Sequence, residues 1–329
     1  MNPTRQIDWR TIIALNVVST LSQLGQFGIG FVVLPVWLAQ HGLNATQLGV
    51  LVSAEWLGML VGLAVAPRLN ARFGHPKVIS IGLLVTILAF AAMPTIGRFI
   101  WLPAIFFIGL GMGLRWIGLE PWLYRIAPTE GWGRLVGFHE TLIGIAPILA
   151  PVLTKWVGIT GSAPLVLGMV FTGMAFIPLT FAGPAPHVST ESPNRRQRCG
   201  PSPRNIILAL GIATAVIGGV TEAAFSGLFP IFGAGRDFNA EQMVTLLSFF
   251  GLGSLLLQYL MGWLADHRGL AFAVLVNAGV TVLIAGITSL PLGFNGLAVT
   301  FFALGGNDHR VPDPGDRRFY QSRTWGFVG

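Results

Sequence analysis

The chain has 329 residues, of which 53% are hydrophobic and only 10% charged, against about 25% charged in a soluble globular domain. The formal charge is +7, but the basic residues lie in short gaps between long apolar runs, which is a membrane-topology pattern rather than a polyanion-binding surface and argues against a nucleic-acid partner. A single cysteine, Cys199, excludes an internal disulfide and a multi-cysteine metal centre.

About 20 apolar residues span a bilayer. On that measure the chain predicts an all-α, polytopic membrane protein with helices near 11–38, 46–66, 77–95, 100–122, 135–157 and 162–182. The first run is too long for the core of a cleavable signal and has no clear small-residue cleavage site. Helices resume near 205–231, 240–264 and 270–290, and a tenth begins near Phe294 and fails at Gly306. Between the two sets lies a polar stretch, Pro184 to Arg204, that reads as a linker. The predicted organisation is a six-helix bundle over 1–182, a linker over 183–204, an incomplete second bundle over 205–305 and a polar tail over 306–329.

Lysine and arginine in the loops set orientation. With the N-terminus inside, the inner segments hold Arg5, Arg10, Arg68, Arg72, Lys77, Arg125, Arg134, Arg195, Arg196, Arg198, Arg204 and Arg268, while the outer ones hold Arg98, Lys155 and Arg236. The N-terminus and linker are therefore expected in the cytoplasm, with the chain in the cell inner membrane.

Two polar turns are copies of one another. Gly262-Trp263-Leu264-Ala265-Asp266-His267-Arg268-Gly269 reads G-x-x-x-D-x-x-G, and 195 residues earlier stands Pro67-Arg68-Leu69-Asn70-Ala71-Arg72-Phe73-Gly74. The same offset places Pro35 on Pro230, Gln47 on Gln242, Ser53 on Ser248 and Gly58 on Gly253. Leucine matches mean little in apolar sequence, but prolines, glutamines and turn glycines carry weight. An internal duplication follows, and membrane proteins so built place their sites near mid-bilayer, between the repeats.

From Asn307 the sequence turns polar, with three Asp, four Arg and two Pro where the tenth helix should finish. In repeat register residue 329 corresponds to residue 134, so counterparts of 135–182 are missing. Two readings stand: a ten-helix protein with a polar tail, or a frameshift that replaced the end of a longer apolar reading frame.

GWLADHRG and PRLNARFGHPK resemble the paired signature loops of the major facilitator superfamily, close to G-x-x-x-D-R-x-G-R-R. The first copy keeps Arg72 and Gly74 but has Pro67 for the glycine and Ala71 for the acid; the second keeps Gly262, Asp266 and Gly269, with His267 for the arginine. The resemblance covers roughly 1–305 and implies two bundles rocking about a central site lined by the first, fourth, seventh and tenth helices. The residues Arg72, Gly74, Gly262, Asp266 and Gly269 would act as gating loops. The implied function is secondary transport of a small solute by alternating access, coupled to protons, with no cofactor. The alternative is a non-functional, truncated membrane remnant of such a transporter. The helix-five signature of drug antiporters is poorly matched by Gly137, Gly144, Pro147 and Pro151.

Polar groups inside apolar helices are the candidate solute and proton residues. The first helix carries Asn16, Ser19, Thr20, Gln23, Gln26 and Gly30 at spacings that share one face. Such a face lines a cavity or meets polar groups of other helices. A charge at mid-bilayer costs about 2.5–3.5 kcal/mol even on insertion scales, which singles out Glu55, Arg115, Glu120 and Glu222. Glu222, well inside its helix near Thr221 and Ser226, suits proton loading or a structural hydrogen bond to a neighbouring helix; Glu55 is a further solute or proton candidate; Arg115 suits an ion pair with Glu55 or Glu140, or an anionic solute. Several motifs are weaker. Gly109-Leu-Gly-Met-Gly113 lies inside an apolar helix and reads as a packing face. His139-Glu140 lacks a second histidine at Ile143, so no zinc site is expected. Asn44-Ala45-Thr46 is a glycosylation sequon, relevant only in a host that glycosylates there. No G-x-x-x-x-G-K-[ST] loop is present, and no serine–histidine pair or ligand cluster falls at membrane depth, so an enzyme is not expected.

Overall fold

The computed structural model describes residues 8–127, 132–185, 219, 227–268 and 270–305. The Asp8 carboxylate caps the first helix, α1 (Trp9–Gln40), by accepting the Thr11 N–H at 3.1 Å. α1 does not wind uniformly. Its middle, Leu24–Val33, is a π-helix, and Leu34–Gln40 returns to α geometry. α2 (Ala45–Phe73), α3 (His75–Ile96) and α4 (Trp101–Ile126) follow, then α5 (Trp132–Gly144 and Ala146–Val157) and α6 (Ala163–Leu179). The second half holds α7, described at 227–234, then α8 (Ala240–Arg268), α9 (Leu270–Thr288) and α10 (Phe294–Gly305). Among the described residues, six helical stretches are long and apolar enough to cross a membrane.

Successive helices run up and down, because short links return the chain to the side it left. At one side, here the His41 side, Arg98 donates to the His41 carbonyl at 2.6 Å and the Trp37 indole N–H donates to the Gly161 carbonyl at 2.6 Å. At the other, the Trp9 side, the Gly183 N–H donates to the Thr11 hydroxyl at 2.7 Å, tying the exit of α6 to the start of α1. Exposed Trp9 at one side and exposed Phe99 and Trp156 at the other sit where aromatic rings meet the membrane–water boundary.

The polar turns are shorter than the sequence pattern predicts. α2 passes through Pro67, Arg68 and Arg72 to Phe73, leaving Gly74, at φ +83°, as the turn. α8 likewise stays helical through Arg268. Beyond the hydrocarbon, exposed arginines cost a helix nothing, and its ladder tolerates one missing proline N–H more cheaply than several unpaired backbone groups. α4 passes Pro121 in the same way and ends at Ile126.

The internal repeat is visible in the bonds. α2 and α8 are both 29 residues, and an offset of 195 carries Ala45 to Ala240 and Phe73 to Arg268. Their caps are the same reciprocal box: Gln47 N–H to Asn44 Oδ1 at 2.9 Å with Asn44 N–H to Gln47 Oε1 at 3.1 Å, and Gln242 N–H to Asn239 Oδ1 at 2.8 Å with Asn239 N–H to Gln242 Oε1 at 3.0 Å. The helix contacts repeat too. A Cβ on Gly58 would fall on the Phe106 carbonyl oxygen, and one on Gly253 on that of Phe302; Gly109 meets the Glu55 carbonyl as Gly305 meets that of Phe250. On α10 the offset has become 196, so the link before it is one residue longer than its counterpart before α4.

Glycine lets these backbones touch, which is how helices hold together where lipid offers no hydrophobic gain. The glycine string on α4 serves two neighbours: Gly109 and Gly113 face α2, and Gly111 faces Gly82 and Thr86 of α3. Leu24, Ile29, Phe90, Ile108, Ala146 and Leu165 fill the centre of the first half, and Ile12, Leu83, Trp122 and Leu179 fill its Trp9 side. The two halves meet along α5 and α8, where Gly251 abuts Pro147 and Ile148, and the Ser248 hydroxyl donates to the Ile148 carbonyl at 3.3 Å. Val36 of α1 joins Phe229, Val244, Leu247 and Phe301 of the second half in one buried cluster. At the His41 side Lys155 and Glu241 stand 3.9 Å apart.

Candidate functional site

The site is built on the polar stripe of α1. Asn16, Ser19, Gln23 and Gln26 are all buried in an otherwise apolar helix. Their neighbours are other helices of the first half, and most of their polar atoms are committed to them. Gln26 Nε2 donates to the Thr86 hydroxyl of α3 at 2.7 Å, and Thr86 passes its own proton to the Gly82 carbonyl at 3.0 Å. Gln26 Oε1 accepts from Arg115 Nε of α4 at 3.1 Å, and Gln23 Oε1 accepts from Arg115 Nη2 at 2.5 Å. Arginine only donates, so both amide orientations are forced by the network. One turn or more towards Trp9, Asn16 gives its N–H to the Ile12 carbonyl at 2.8 Å, which leaves Oδ1 to accept from His139 Nδ1 of α5 at 2.9 Å. His139 therefore carries its ring proton on Nδ1 in this arrangement.

Arg115 is the centre of this network. It is fully buried, and its guanidinium carbon lies 5.6 Å from the Trp116 ring centroid. The expected ion pair is not formed: two neutral amides take the place of Glu55 or Glu140, and neither acid accepts from Arg115. Glutamine reaches as far as glutamate and supplies the same acceptor oxygen, so it satisfies the N–H groups without cancelling the charge. Glu120 is the acid whose charge acts on Arg115, but it accepts none of its N–H groups. The Arg115 Nη1 group and the Ser19 hydroxyl, both buried, have no hydrogen-bond partner among the described residues.

Glu55 lies apart from this network. It is 1% exposed in the middle of α2, with Oε1 unpartnered, and a Cβ built on Gly30 of α1 would come within 3.2 Å of that oxygen. The acid thus sits where α1, α2 and α4 converge, with the Ile108 side chain 3.0 Å from the same Gly30 position. Both Gln26 and Gly30 belong to the π-helical part of α1, a rare geometry that occurs often at functional sites.

The structure brings Gln23, Gln26 and Arg115 together and leaves Glu55 in a second place against α1. Arg72 and Gly74 end α2 at the Trp9 side, with Arg72 exposed and its guanidinium carbon 5.2 Å from the Phe73 ring centroid. Gly262 and Asp266 belong to the backbone of α8. Glu222, Gly269 and the tail after Gly305 lie outside the described residues. Thr86 and the Asn16–His139 bond were not foreseen. Thr86 is one hydroxyl in an apolar helix, and nothing in its spacing points to Gln26.

A family model described as Major Facilitator Superfamily matches residues 15–307. The chain belongs to the Major Facilitator Superfamily. An uncharacterized MFS-type transporter of Yersinia enterocolitica is 25% identical over 281 residues, covering 82% of this chain and 70% of that protein. Another, YcaD of Escherichia coli, is 24% identical over 254 residues, covering 76% and 65%. Among solved structures, the D-xylose–proton symporter superposes with a TM-score of 0.67 at 14% identity over 93% of this chain and 81% of that one. The nucleoside transporter NupG gives 0.72 at 11% identity over 91% and 80%. The family match makes the chain a multi-pass α-helical membrane protein of the transporter superfamily, and the solved structures share its fold.

Proposed function

We propose that this superfamily member is a proton-coupled secondary transporter that moves a small solute across the bacterial inner membrane by rocking its two halves. The observation that carries the reading is the buried Gln23–Gln26–Arg115 network, a polar centre deep in helices that are otherwise apolar. Polar groups kept at that depth despite their cost mark solute and ion pathways. Gln23, Gln26 and Arg115 serve the solute, and the buried carboxyl of Glu55 takes and gives up the proton, with Glu222 as a second proton carrier. The presence of a proton symporter among the fold's solved neighbours fits this coupling.

The rocking units are 1–182 and 205–305, joined by the basic linker 183–204. The N-terminus and linker face the cytoplasm, as their arginines favour, which makes the Trp9 side the inner one. Arg72 and Gly74 at the end of α2, with Gly262 and Asp266 at the corresponding end of α8 and Gly269 just after it in sequence, act as a pair of gates on that side.

The test is transport by purified protein in liposomes. Labelled sugars, nucleosides, carboxylates and phosphate are followed by counterflow while an internal dye reads proton entry. Wild-type protein moves at least one solute and co-moves protons; Glu55→Gln keeps counterflow and loses accumulation driven by a pH gradient. If no solute moves and none evokes a proton flux, the reading fails. If accumulation survives in Glu55→Gln, protons do not load there.

A further inference from the structure

The transport reading leaves open what kind of solute the polar centre takes, and the chemistry around Arg115 narrows it. A fully buried guanidinium normally meets a carboxylate, because an unpaired charge at that depth is expensive. Among the described residues no carboxylate lies within 4.0 Å of Arg115. Its Nε and Nη2 groups are held in place by two amide oxygens, which orient the planar fork without neutralising it. Among the described residues its Nη1 edge has no acceptor, and the Ser19 hydroxyl, one turn from Gln23 on the same face of α1, has no partner. Glu120 acts on Arg115 only from a distance and accepts none of its N–H groups, so a donor-rich, positively charged and pre-oriented group keeps one edge that no carboxylate meets; such an edge fits carboxylate and phosphate oxygens, and a serine hydroxyl can add a third donor.

From this we infer that the solute of the Arg115 site is a small oxyanion, a carboxylate- or phosphate-bearing molecule whose charge is matched by Arg115 and whose oxygens accept from Arg115 Nη1 and Ser19. This deepens the transport reading and rests on it. The π-helical wind of α1 begins at Leu24, directly after Gln23, and Gln26 lies within it. π-helical turns are rare and occur often at functional sites, which marks this wall of α1 as part of the site. Neutral sugars or nucleosides would leave the guanidinium with no anionic oxygen in direct contact.

The experiment uses the full chain, purified in detergent and in liposomes. Thermal unfolding and tryptophan fluorescence are read against acetate, succinate, inorganic phosphate, xylose, uridine and chloride, and counterflow is measured with the same solutes. At least one oxyanion is expected to raise the melting temperature and to bind about tenfold or more weakly in Arg115→Gln. Ser19→Ala, which removes a smaller contact, is expected to weaken binding a few-fold and keeps the test open should Arg115→Gln fail to fold. Response to acetate or succinate assigns the carboxylate arm, and response to phosphate alone assigns the phosphate arm. Binding or counterflow of xylose or uridine with no effect of any oxyanion overturns the inference while leaving transport intact. Equal oxyanion binding by wild type and both variants overturns it as well. An absence of counterflow and of binding for every solute overturns both readings together.

Discussion

Gln26 joins three helices through one side chain: from α1 it donates to Thr86 on α3 at 2.7 Å and accepts from Arg115 on α4 at 3.1 Å. Replacing it by leucine keeps the volume but strands two buried groups. Gln26→Leu is expected to cost about 1–3 kcal/mol of stability, read as a fall in melting temperature in detergent. Gln26→Asn, too short to span both partners, should show a similar loss. No change in either variant would mean that the network adds nothing to helix packing.

The repeated glycine contacts give a paired prediction. Gly58 and Gly253 lie against the Phe106 and Phe302 carbonyls with no room for a methyl group. Gly58→Ala and Gly253→Ala should each destabilise by about 1–3 kcal/mol through forced separation of the helices. Gly137 of α5 has nothing within 4 Å of its Cβ position. Gly137→Ala should be neutral, or stabilising by up to about 1 kcal/mol. Melting curves of the three variants compare them directly.

Lys155 and Glu241 tie α5 to α8 at 3.9 Å, but their side chains are 47% and 61% exposed. Lys155→Ala should therefore change stability by less than about 1 kcal/mol. The position is more useful as a probe of rocking. In a Cys199→Ser background, Lys155→Cys with Glu241→Cys can be joined by a short thiol cross-linker. Counterflow should stop on cross-linking and return on reduction. Undiminished counterflow in the cross-linked protein would argue that the halves do not separate at this side.

Asp8 supplies a pH prediction outside the membrane. The Thr11 hydroxyl, at 2.5 Å, and then the Thr11 N–H hold its carboxyl below the ordinary carboxylate value. A lowered native pKa means the cap contributes above the unfolded value, about 4, and is lost as pH falls through the lower native one. Thr11 in turn accepts the Gly183 N–H, so hydrogen exchange at Gly183 should quicken relative to a distant helix amide as pH drops below about 4. Asp8→Asn should remove that pH dependence. A flat profile in wild type would disconnect the cap from the linker entry.

The sequence alone carried the architecture because lipid imposes it: a backbone crossing hydrocarbon must bond to itself, so apolar length reveals each helix and loop arginines suggest its direction. It also exposed the duplication, through pairs such as Gln47 and Gln242, and the structure gives both of these glutamines the same capping bonds, with Asn44 and Asn239. The α4 glycines were readable as a packing face, although not which neighbour each one meets. Helix ends were less legible. Arg68 and Arg72 look like turn residues by composition, yet they extend α2, because polarity outside the bilayer does not unwind a helix. Side-chain partnership was decided only by the tertiary structure. Spacing put Gln23 and Gln26 on one face of α1, but their partners, Thr86 and Arg115, lie 60 and 89 residues from Gln26 along the chain. Bonds of that range depend on how α1, α3 and α4 rotate against one another. Glycines let those backbones close, and in the resulting arrangement two amides, not the expected carboxylate, accept from Arg115.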